Sequence, residues 1–255
     1  MTVHGLPAGR SLAIHGEEDN TRVAIPRVCS VASHRAGIVE SKSEQVGRRR
    51  GALEPRRVSV FLDYQNVYRS ARRAFALEQA SHVEGQIKPM TVGLRARDLQ
   101  PDRVLSEVVV FRGMPSPTRD PKGYDACQRQ IAKWNATAHV RVVTRPINYR
   151  DPQRPREKGI DVALAIEMVA GAIRGLFDVA VLFSGDTDLL PAAEFVKQHL
   201  GNDAIEFAAW KPVDGSPARV LQIDGLGARY HIFDRSWYDG AFRDDVDYTR
   251  RSRRR

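Results

Sequence analysis

Four aspartates and one asparagine in this 255-residue chain stand where they could act together. Asp186 and Asp188 follow five apolar residues, Val179 to Phe183, in the stretch VAVLFSGDTDLL. Asp63 closes a second apolar run, VSVFLD, and Asn66 stands one helical turn beyond it. Asp161 falls in the first turn of a helix expected after Gly159. Continuous hydrophobic runs of this length suit strands covered on both faces, as in a parallel sheet. Open α/β sheets bind their ligands beyond the carboxyl ends of their strands. Parallel strands would place Asp63, Asp186 and Asp188 at one sheet edge. Asp161 joins them if its helix, which leads into the Val179 strand, begins at that edge. Carboxylates gathered in this way repel one another unless a cation sits between them. Such oxygen ligands suit Mg²⁺ or Mn²⁺, which can activate a water for in-line attack on a phosphodiester. Asn66 could hold a water or a phosphate oxygen.

Taken singly, each residue has a plainer use. Asp188 could cap the helix that follows it, and Asp161 could complement a helix dipole. Asp63 could close a turn and Asn66 could cap the first helix. The convergence of four acids on one edge is what favours chemistry.

Basic residues supply the complement. Arg69, Arg72 and Arg73 fall at i, i+3 and i+4 on the helix expected after Asp63 and so share a face. The polar loop RPINYRDPQRPREK carries Arg145, Arg150, Arg154, Arg156 and Lys158 against Asp151 and Glu157. Both groups are expected to attract a phosphate backbone. The net charge of +9 has a different origin. Residues 1–57 carry 10 Lys and Arg against 6 Asp and Glu, residues 248–255 carry five Arg and no acid, and the segment between holds 25 of each sign. Polybasic ends attract nucleic acid without sequence preference, or simply keep a protein soluble; the tails alone favour neither.

The elements that must position these groups follow from periodicity. Strands are expected at 58–63, 106–111, 139–144, 179–183 and 204–209, the last being the final core strand. Tyr64-Gln65-Asn66-Val67 leads into a helix expected through about Gln79; further helices are expected over 124–135, 160–174 and 189–200, with a short element at 94–99 and a short helix within 216–226. In the 160–174 helix, Val162, Ile166, Val169 and Ile173 form the expected core-facing stripe. Residues 80–92 read as loop. Alternating strands and helices predict a three-layer α/β/α domain with a central parallel sheet. The expected organisation is a disordered basic tail over 1–56, the domain over 57–242, and a charged tail over 243–255.

Several classes are disfavoured. No apolar run is long enough for a membrane span, and the N-terminus lacks a signal-like core. Two cysteines, Cys29 and Cys127, exclude a disulfide framework, so a cytoplasmic setting is expected. Ser184 lacks a nucleophile-elbow setting, and His82, His139, His199 and His231 lack ligand spacing. Trp210 and the Trp237–Tyr238 pair read as core aromatics more than as base-stacking platforms.

The motifs resemble those of a known family. Asp63-Tyr64-Gln65-Asn66 resembles the D-x-x-N opening of NYN domains, in the LabA-like branch of the PIN-type nuclease superfamily. Lys158-Gly159-Ile160-Asp161-Val162 looks like that family's K-G-[VI]-D-V segment. Ser184 to Pro191 is similar to its S-G-D-x-D-[FL]-x-P segment, and the three occur in family order. The resemblance covers about Val58 to Phe233. It implies a PIN-like fold and an Mg²⁺- or Mn²⁺-binding pocket of Asp63, Asp161, Asp186 and Asp188. It also implies ribonuclease activity on RNA, single-stranded or structured, with endonucleolytic cutting by water. The rival expectation is a regulatory module that binds RNA or protein, with partners held through the tails. Phosphotransfer of the haloacid-dehalogenase type is disfavoured because Gln65 stands where a second Asp is needed. A Toprim-like site is disfavoured because Asp63 occupies the place of its strand-end Glu.

Overall fold

The computed structural model describes residues 54–151, 155–223 and 229–250. The expected N-terminal tail up to residue 53, and Arg154, lie outside these described residues. Six strands form one sheet: β1 (Arg56–Asp63), β2 (Arg103–Met114), β3 (Val140–Pro146), β4 (Val179–Phe183), β5 (Ile205–Trp210) and β6 (Arg229–Phe233). Their order is β3-β2-β1-β4-β5-β6, with every neighbouring pair parallel. The chain therefore reverses its direction of travel across the sheet between β1 and β4. That is the switch point at which crevices form in open α/β sheets.

Alternation along the strands builds two cores. Val58, Val60 and Leu62 of β1, with Val108 and Val110 of β2 and Val179, Val181 and Phe183 of β4, face one side. They meet α1 (Tyr64–Ala74), α2 (Pro89–Asp98), Trp134 of α3 (Pro121–Asn135), and the C-terminal aromatics Tyr238 and Phe242. Phe61, Val109, Phe111, Ala180 and Leu182 face the other side, where α4 (Ile160–Ile173) and α5 (Leu190–Leu200) cover them. Because helices close both faces, the central strands are apolar at nearly every position, which is why they read as continuous runs.

Helix α4 corrects the expected stripe. Val162, Ile166 and Ile173 are exposed at 61%, 62% and 59%, and the buried residues are Ile160, Ala163, Leu164, Met168, Gly171 and Ala172. The helix is apolar nearly all round, so periodicity could not tell its faces apart. Close packing decides. A Cβ added at Gly171 would come within 2.7 Å of the Phe177 ring, so the face carrying Gly171 with Leu164, Met168 and Ala172 turns inward, while Val169 alone of the expected stripe packs partly against the core.

Other differences concern extent. β5 is followed by a sixth strand, β6, at the sheet edge. Part of the expected 80–92 loop is helical, since Pro89 opens α2 at a first-turn position that needs no N–H. Residues 216–223 hold no helix. Asp244 and Tyr248, within the stretch expected as a charged tail, are 1% and 7% exposed, and the Tyr248 hydroxyl donates to Asp244.

Candidate active site

Asp63 is the last residue of β1 and the N-cap of α1, where its Oδ1 accepts the Asn66 amide at 3.1 Å. Leu62 pairs with Phe183, so the ends of β1 and β4 lie side by side at the switch point. There the Ser184 hydroxyl donates to Asp63 Oδ2 at 3.1 Å and accepts the Asp186 amide at 3.1 Å. Asn66, in the first turn of α1, uses its Oδ1 to accept the Gly185 amide at 3.0 Å. Asp186 in turn caps the short helical turn Thr187–Leu189 by accepting the Asp188 amide at 3.0 Å. Asp63, Asn66, Ser184 and Asp186 thus form one hydrogen-bonded seam across two strand ends. The capping role considered for Asp188 belongs to Asp186.

Asp161 enters from the opposite helical layer. Gly159, at φ 75°, makes the left-handed turn that launches α4, a conformation few other residues hold without strain. Asp161 is in the first turn of that helix.

The sequence reading missed Glu157. Its Oε1 accepts the Gly113 amide at 2.6 Å, at the carboxyl end of β2. A Cβ at Gly113 would meet Glu157 Oε1 at 2.5 Å, so a larger residue there would push this carboxylate from its place. Its sole sequence signal was an acid among the arginines of the 145–158 loop.

Electrostatics tie these acids together. Burial, at 4% exposure, drives the Asp63 carboxyl up to about 6. The Asn66 amide and Ser184 hydroxyl pull against that shift, while Asp161 and Glu157 add to it. Burial also raises Asp161, helped by the charges of Asp186 and Asp188. Glu157 is raised by burial and by Asp161, against the Gly113 amide, Arg112 and Arg69. Asp161 is the common member, coupled to Asp63 and Glu157 on one side and to Asp186 and Asp188 on the other. Among the described residues, no three Asp, Glu, His or Cys side chains converge as a ready-made metal cage.

The arginines expected to act alike do not. Arg72 donates to four backbone carbonyls, of Glu78, Ala80, Ser81 and Glu84, and so pins the loop after α1. Arg69 is exposed; with the Gln65 amide turned to satisfy its hydrogen bonds, the Gln65 oxygen accepts both Arg69 Nε and Nη2 at 2.8 Å. Arg73 is exposed and has no ion pair among the described residues. Arg145, Arg150, Arg156 and Lys158 are exposed on and beyond β3, likewise without ion pairs among the described residues. Arg112, which the sequence did not single out, sits over the Tyr64 ring at 5.0 Å and donates to Gln130. Trp210 and Tyr238 are core residues, 3% and 0% exposed, whereas Trp237 is 37% exposed beneath the Arg95 guanidinium.

The model of the NYN domain family matches residues 57–221, from β1 through the segment after β5. The chain belongs to the NYN family. NYN domains are part of the PIN-like nuclease superfamily, so the three ordered motifs and the central parallel sheet carry the expected membership. No curated protein matches the chain. A crystal structure of a protein of unknown function from Vibrio parahaemolyticus is similar at 17% identity over 73% of this chain and 98% of that one, with a TM-score of 0.47. Among the described residues of this NYN protein, no helix is long and apolar enough to cross a membrane.

Proposed function

We propose that this NYN protein is a metal-dependent ribonuclease that cuts RNA internally, with its chemistry centred on Asp63. The observation that carries the reading is a buried carboxyl at the switch point, raised to about 6, with Asp161 and Glu157 close enough to push it further. Burying a carboxylate beside like charges is costly, and a bound cation relieves the cost.

The residues fit a hydrated ion better than a closed cage. Mg²⁺ keeps several waters and is typically held by one or two carboxylates plus substrate phosphate oxygens. Asp63 and Asp161 would hold it, with Asp186, Asp188 and Glu157 acting on its waters or neighbours. When bound, such an ion supplies a more acidic water and neutralises charge on the attacked phosphate. The chain's own residues do the rest. Ser184 and the Asn66 amide fix both oxygens of Asp63, so that its orientation does not depend on a ligand. Arg69 and the cations of the 145–158 loop attract the backbone in a salt-dependent way. The preference for RNA over DNA rests on the family.

The test is single-turnover cleavage of end-labelled single-stranded RNA in Mg²⁺, Mn²⁺ or EDTA, with Asp63→Asn and Asp161→Asn run alongside. Cutting that needs the metal and falls at least about 100-fold in both variants supports the reading. RNA binding without cutting in all three proteins overturns it and makes the chain a regulatory RNA-binding module.

A further inference from the structure

Beside the acids, on the β5 flank, lies a cleft of about 280 Å³. Its lining includes Phe183, Ala209 and Trp210 at the strand ends, Arg73 of α1, and Arg219 in the segment after β5. It shares Asn66, Ser184 and Gly185 with the seam that holds Asp63, so a ligand in the cleft is an immediate neighbour of that carboxyl.

Three features point to the ligand's chemistry. The lining mixes polar and apolar surface over a rigid floor: Trp210 donates its indole N–H to the Val67 carbonyl at 3.0 Å and packs against Phe183 at 4.9 Å and Phe75 at 5.4 Å. The outer part is cationic, because Arg73 and Arg219 are both exposed and without ion pairs among the described residues. Asp214, a carboxylate of the lining, accepts the Ser216 amide at 2.9 Å. The volume is at the small end for ligand sites, enough for one compact unit rather than an extended molecule. A rigid floor of mixed polar and apolar surface beneath two arginines suits a heterocycle and sugar joined to a phosphate.

We propose that this cleft is a subsite for one nucleotide of the RNA strand. Base and ribose enter the interior, and a phosphate rests on Arg73 and Arg219 next to the phosphodiester at the acids. The assignment rests on the ribonuclease reading for its substrate, but it can be tested without cutting.

Calorimetric titration of the full chain in EDTA with the common nucleoside 5′-monophosphates, and separately with inorganic phosphate, is the experiment. Arg73→Ala, Arg219→Ala and Ser216→Trp are compared with the unaltered protein after circular dichroism has confirmed their fold. At least one nucleotide should bind roughly ten-fold tighter than phosphate, and each variant should weaken it by about five-fold or more. Equal affinity for phosphate and nucleotide, undiminished affinity in the variants, or no binding at millimolar nucleotide overturns the proposal. If an arginine variant fails to fold, Ser216→Trp, at an exposed position, decides. Nucleotide binding by a protein that does not cut RNA would leave the subsite standing and remove the ribonuclease reading. Cutting without nucleotide binding would do the reverse.

Discussion

At the scale of single residues, Asp63 works against the fold that holds it. Its folded-state pKa of about 6 exceeds the ordinary value of 3.8, so the native protein binds the extra proton between those limits. The contribution of Asp63 to stability is therefore most favourable below about pH 4, falls as pH rises to about 6, and stays reduced above that. The penalty at neutral pH is at most about 3 kcal/mol. Asn at this position keeps an acceptor for the Asn66 amide and can turn its NH2 toward the Ser184 hydroxyl oxygen as a donor, but it cannot ionise. Asp63→Asn should therefore melt higher than the unaltered protein at pH 7.5 in EDTA, while abolishing cleavage. A lower melting temperature would show that burial of Asp63 carries no electrostatic cost. Mg²⁺ should raise the melting temperature of the unaltered protein more than that of the variant.

At the scale of elements, helix α4 shows what the sequence could and could not reveal. Its position was legible, because Gly159 and the apolar run mark it, and so was Asp161 in its first turn. Its orientation was not, because an almost wholly apolar helix has no polar face to exclude. Ile166→Lys should change stability by no more than about 0.5 kcal/mol. Met168→Ala, at a fully buried position, should cost about 2–5 kcal/mol. Urea unfolding of both variants measures this, and the reverse ranking would restore the expected stripe. The strand-end acids were legible for a similar reason, since each closes a run buried on both faces. Glu157 was hidden because its place depends on the Gly113 amide, 44 residues away in sequence. Likewise, spacing put Arg72 beside Arg69 and Arg73 but could not show the four carbonyls it holds.

At the scale of the whole molecule, a buried ionic cluster crosses the sheet near its amino end. Arg103 of β2 donates to both oxygens of Glu206 of β5, at 3.1 and 2.6 Å, and His231 of β6 meets Glu206 at 2.7 Å. Burial alone would raise the Glu206 pKa, but the hydrogen bonds from His231 and Arg103 outweigh it and hold it at about 2. A depressed carboxyl stabilises above its unfolded value of 4.5, and that contribution is lost as pH falls toward about 2. Removing it by Glu206→Ala leaves the 1%-exposed Arg103 side chain unpaired and should cost about 3–5 kcal/mol at pH 7. Below about pH 2 the difference should shrink, which acid unfolding of both proteins would reveal. The other end of the sheet, where β1 meets β4, bears on how the protein is made. Asp63 and Ser184 are bonded although 121 residues separate them. During synthesis Asp63 is laid down first and waits, without its partner, until Ser184 is added 121 residues later. A truncated product ending before Ser184 has no seam and no assembled acid group, so the cutting centre we propose arises only in chains that have passed that point.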